Sequence, residues 1–91
     1  MDQYSQIASQ IIKDQQEIIG PVALEQARKV QGLVIDGVDK IKINGNGKDV
    51  LTQLVEQYSK LFGRASIEVC REAAHEAKIT LPKEDLPEVL Q

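Results

Sequence analysis

The sequence predicts a small, mainly α single domain spanning residues 1–91 in the order α-α-β-β-α(-α): a helical hairpin, a short β-hairpin, then a long kinked or interrupted helix. Three observations carry this. Apolar residues recur at three- and four-residue spacing near the start and again across residues 48–77; the period changes to strict alternation between those stretches; and glycines or a Gly-Pro step punctuate the changes.

Helix one runs from Gln3 to Ile19, because Tyr4, Ile7, Ala8, Ile11, Ile12, Ile18 and Ile19 fall on one face. Gln15 interrupts that stripe. The spacing predicts a partly exposed gap there, and the alternative is an amide that pairs with its equivalent across a symmetric interface. Gly20-Pro21 ends this helix and starts the next, since glycine tolerates the terminating conformation and proline fits a first helical turn. Helix two, with Val22, Ala23, Leu24, Ala27 and Val30, is expected to stop at Gly32.

Residues 33–43 alternate and read as a hairpin turning at Asp36-Gly37, with Lys40 and Lys42 on the wet face and Ile41 and Ile43 on the packed one. Asn44-Gly45-Asn46-Gly47 is a loose connection to the strongest helical pattern, Lys48 to about Ala77. In that span Leu51, Leu54, Val55, Tyr58, Phe62 and Ala65 form one stripe, while Val69, Cys70, Ala73, Ala74 and Ala77 form another, rotated by roughly a quarter turn. A break or kink near Gly63 accounts for the change. Pro82 and Pro87 keep residues 79–91 from forming one regular helix, so an extended tail with a short turn near Leu86–Leu90 is expected. No internal repeat or linker is apparent at this level.

With one Phe, two Tyr and no Trp, the core must rest on Ile, Leu, Val and Ala, a composition for which a homodimer is the expected source of added burial. A net charge of −3 with acids and bases interspersed disfavours a nucleic-acid partner. The apolar runs are too short to span a bilayer, and the start lacks a secretory pattern, so a cytoplasmic protein without membrane contact is expected. The single Cys70 fits a reducing compartment and reads as a small apolar residue.

Residues able to carry chemistry are few, and neither catalytic residues nor a cofactor is expected. Asn44–Asp49 sits between a strand and a helix, where phosphate loops occur, but it lacks their glycine spacing and has Asp49 where a hydroxyl residue would hold magnesium. Glu72 and His75, with Glu68 one turn earlier, share a helical face; a symmetric dimer could complete a two-metal site from two such pairs. Ala74-His75-Glu76-Ala77-Lys78-Ile79-Thr80-Leu81-Pro82 resembles the phospho-accepting box of sensor histidine kinases, in which a His-Glu pair precedes an apolar residue, Arg or Lys, Thr and Pro; here Ile79 and Leu81 interrupt that order. The resemblance implies that His75 would be the modified residue. The element order also allows a winged helix-turn-helix that uses Arg28, Lys29, Lys40 and Lys42 on DNA.

The leading expectation is a non-enzymatic protein–protein interaction module, a helical homodimer serving as a regulator or as a small subunit. Leu54, Tyr58, Leu61 and Phe62 are the expected interface, with the two aromatics as anchors.

Overall fold

A computed structural model describes residues 2–37, 39–77 and 81–91. The elements are α1 (Gln3–Ile19), α2 (Val22–Ala27), β1 (Leu33–Gly37), β2 (Lys40–Ile43), α3 (Gly47–Phe62) and α4 (Arg64–Glu76), followed by two 3-10 turns, Lys83–Asp85 and Glu88–Leu90. This is the α-α-β-β-α-α order expected from the sequence, packed as one compact domain.

Helix α1 starts at an Asp2 cap whose carboxylate accepts from the Ser5 backbone N–H at 2.8 Å. Asn46 caps α3 in the same way, accepting from the Asp49 N–H at 3.0 Å, so the Asn44–Asp49 stretch supplies a helix cap. The hairpin is antiparallel, pairing Leu33 with Ile43, Val34 with Lys42 and Ile35 with Ile41. Its turn is not at Asp36-Gly37. The register shifts between Ile35 and Gly37, a bulge that absorbs Asp36, so β1 continues through Gly37 and the connection falls between Gly37 and Lys40. Ile41 is buried, Lys40 and Lys42 are exposed, and β2 packs on α1.

Helix two is shorter than its pattern suggests. It ends at Ala27, and residues 28–32 form turns that still bury Val30, so the apolar spacing outlasts the helix. The C-terminal segment is also less extended than expected. Leu90 is fully buried, and three hydrogen bonds tie the segment down: the Tyr4 hydroxyl to the Asp85 carbonyl (2.9 Å), the Lys48 ammonium to the Glu84 carbonyl (2.9 Å) and the Arg71 guanidinium to the Val89 carbonyl (3.4 Å). Residues 79 and 80 of the expected tail lie outside the described residues.

The fold contains an internal repeat that the sequence reading missed. Superposing Gly20 on Gly63, 43 positions apart, aligns Ile7, Ala8, Ile11, Ile12 and Gln15 with Val50, Leu51, Leu54, Val55 and Tyr58, and every one of these ten residues is buried. Beyond the glycines, Ala23, Ala27 and Val30 match Ser66, Cys70 and Ala73, again all buried. The two corners have the same backbone: Gly20 at φ 73°, ψ −154° and Gly63 at φ 82°, ψ −168°. Each glycine N–H closes its helix on the carbonyl four residues back, Gln16 (2.9 Å) or Ser59 (2.8 Å), and each glycine carbonyl accepts from the N–H three residues on, Ala23 (3.0 Å) or Ser66 (3.1 Å).

Two buried hydrogen bonds cross between the units reciprocally. The Gln15 amide donates to the Ser66 carbonyl at 3.2 Å, and the Tyr58 hydroxyl donates to the Ala23 carbonyl at 2.7 Å. Since Gln15 corresponds to Tyr58 and Ala23 to Ser66, exchanging the units maps one bond onto the other, the mark of an approximate two-fold relation. The expectation that Gln15 leaves a partly exposed gap is thereby corrected: it is 1% exposed and occupies the position that Tyr58 occupies in the other unit.

Both corner glycines occupy a backbone region essentially closed to other residues, although a Cβ at either would meet open space. Gly20→Ala and Gly63→Ala should therefore each cost about 1–3 kcal/mol through backbone strain alone. Urea unfolding of the two variants should give similar losses, and a neutral result at either position would show that its corner conformation is not required.

Candidate functional site

The residues singled out from the sequence separate into core and surface. Leu54 and Tyr58 cannot line an interface, because both are fully buried and Tyr58 holds the two halves together through its hydroxyl. Leu61 and Phe62 are exposed, at 49% and 39%. The stripe that contains all four is buried as far as Tyr58 and exposed at Leu61 and Phe62, in the last turn of α3.

The exposed end of that stripe has a counterpart. The reciprocal bonds bring the end of α1 beside the start of α4, and the end of α3 beside the start of α2, so the Gly20 and Gly63 corners are neighbours at one end of the molecule. Ile18 and Leu61 are equivalent positions and are both exposed, as are Val22 and Ala65. Of the five large apolar side chains exposed in the described residues, only Val34 lies elsewhere; Ile18, Val22, Leu61 and Phe62 all belong to this paired-corner end. Ile18 and Val22 escaped sequence reasoning because each continues a helical pattern that otherwise marks core. The signal that could have found them is the repeat itself, Ile18-Ile19-Gly20 against Leu61-Phe62-Gly63.

The candidate metal residues Glu68, Glu72 and His75 are all exposed on α4. Glu68 is engaged by Arg71 at 2.8 Å, while Glu72 and His75 line a shallow depression with Arg71 and Glu76. Among the described residues, no three His, Cys, Asp or Glu side chains come together as a metal site. His75 lies in the last turn of α4, and residues 78–80 of the histidine-kinase-like stretch lie outside the described residues. Arg28 and Lys29 fall beyond α2, which has only six residues, so no recognition helix presents them. No helix among the described residues is long and apolar enough to cross a membrane.

Comparison with family models, with curated proteins and with solved structures found no match. The molecule's own geometry therefore carries the functional reading.

Cys70 is buried in the core, and burial pushes its thiol up to about 11; a hydrogen bond from the Gln15 amide at 3.5 Å opposes this, and Asp14 adds to the rise. A thiol held protonated behaves as an apolar filler, as its sequence context suggests. The Tyr58 hydroxyl is pushed up well above its ordinary value, chiefly by burial and secondarily by Cys70. The carboxyl of Glu76, on the surface, is raised above its ordinary value first by the charge of Asp14, then by desolvation and a hydrogen bond with Asp14, with Glu72 and Glu17 contributing.

Three outcomes follow for the core residues. Cys70 should react with a disulfide reagent at pH 8 at least a hundredfold more slowly in the folded chain than in denaturant, on the order expected when reaction requires opening of the fold. Because its folded-state value lies above the ordinary 9.0, its contribution to stability is present below pH 9 and is lost as the pH rises toward 11. Tyr58→Glu should abolish helicity by circular dichroism rather than yield a folded monomer, since it buries an unpaired charge; retained helicity would place Tyr58 outside the core.

Proposed function

We propose that this chain is a non-enzymatic protein–protein interaction module, a homodimer that associates through its paired-corner end and serves as a regulator or as a small subunit of a larger assembly. The observation that supports this reading is the concentration of exposed apolar side chains at that one end. Ile18, Val22, Leu61 and Phe62 gather there, while the candidate polar residues Glu68, Glu72 and His75 remain solvated on α4. Clustered apolar surface on a small domain marks a contact with another protein, and an aromatic such as Phe62 is a common anchor in such contacts.

Light scattering across a dilution series tests the reading. The wild-type chain should give twice the chain mass at high concentration, and Leu61→Glu should shift it to the monomer mass with an unchanged circular dichroism spectrum. A strict monomer at every concentration would overturn the homodimer.

A further inference from the structure

The approximate two-fold relation preserves buried chemistry but reverses the surface charge nearest the paired-corner end on α1 and α3, where Glu17 stands against Lys60. Where α1 meets α4, Glu72 and Glu76 share a shallow depression with Arg71 and His75, and Asp14 and Glu17 of α1 add negative charge that raises the Glu76 carboxyl above its ordinary value. At the equivalent positions of the other seam, 43 residues away, Lys60 replaces Glu17 and Gln57 replaces Asp14, and Lys29, in the turn after α2, has the sequence register of Glu72. Lys29, Lys60 and Gln57 line one shallow depression together with Glu56, leaving it net positive. Of the cations on the two helices of the α1–α4 seam, Lys13 is paired with Asp39 and Arg71 with Glu68, while Arg64 is exposed at the start of α4. The α1–α4 flank is therefore the more acidic and the α2–α3 flank the more basic, with Glu17 and Lys60 related as Ile18 is to Leu61.

A surface with this symmetry can meet a second copy of itself about either of two perpendicular axes lying in the contact plane. About one axis each flank faces its own kind. About the other the acidic flank faces the basic flank, twice over, with the apolar residues meeting between them. Resting on the homodimer reading above, we infer that the partner seated on the paired-corner end is a second copy of this chain in the second orientation, with each copy's Glu17 opposite the other's Lys60. Reversed charge at equivalent positions makes the end self-complementary, a property that an unrelated partner does not require.

Charge exchange in the full chain tests the orientation. Glu17→Lys and Lys60→Glu should each weaken dimerisation by roughly five- to twentyfold at about 50 mM salt, because each change turns two attractive pairs repulsive. The double variant should return to within about twofold of wild type, and about 500 mM salt should compress all these differences. Glu17→Lys also moves the net charge from −3 toward zero, which on bulk repulsion alone would strengthen association, so weakening distinguishes specific pairing from net charge. Single variants that dimerise as well as wild type, or a double variant that stays weak while circular dichroism shows an intact fold, would overturn the orientation. If Leu61→Glu still dissociates the dimer in that case, the homodimer reading survives; a wild-type monomer would sink both.

Discussion

The pair of hydrogen bonds between the halves is the constraint on which the rest of this molecule depends. A buried amide and a buried phenol are each costly unless they find partners, and neither is satisfied within its own helix-corner-helix unit. Gln15 reaches into the second unit and Tyr58 into the first. Satisfying both sets the depth at which the units interlock, and that depth brings the two glycine corners side by side. The exposed apolar end and the flanking charged seams follow from the same placement.

Much of the architecture was readable because it rests on local signals. The spacing of Ile7, Ala8, Ile11 and Ile12 marks α1, the alternation around Ile41 marks the hairpin, and Gly63 marks the α3–α4 break. Features that depend on tertiary context were less visible. Val30 keeps helical spacing, yet it is buried from a turn, because periodicity reports which side faces inward and not the backbone that presents it. Asp36-Gly37 is a favourable turn pair, but the pairing of Ile35 with Ile41 displaced the turn and left Asp36 in a bulge.

The repeat was hidden for a chemical reason. From residue 7 to residue 30 the identical pairs are Gln10/Gln53, Gly20/Gly63, Glu25/Glu68 and Arg28/Arg71, while the core pairs match in burial rather than identity. Glutamine and tyrosine, unlike in sequence terms, do the same task of donating to a carbonyl in the opposite unit. The candidate site shared this obscurity. One stripe on α3 joins Leu54 and Tyr58, which are core, to Leu61 and Phe62, which are surface, and only the end of the underlying packing separates them. The units also finish differently: the first runs into a β-hairpin laid on α1, the second into 3-10 turns anchored on α4. That difference gives an otherwise two-fold object a definite direction.

Reciprocity also bears on the order in which a nascent chain can acquire structure. Gln15 finds its acceptor 51 residues downstream, at Ser66, and α1 leaves its amide facing an apolar stripe until that carbonyl exists. The N-terminal unit is thus incomplete as it leaves the ribosome, and its packing must wait for α3 and the start of α4. Synthesis from the N-terminus lets larger proteins fold domain by domain; here the clasp spans 51 of 91 residues, and the Gln15 amide gains its buried acceptor only once the second unit is present.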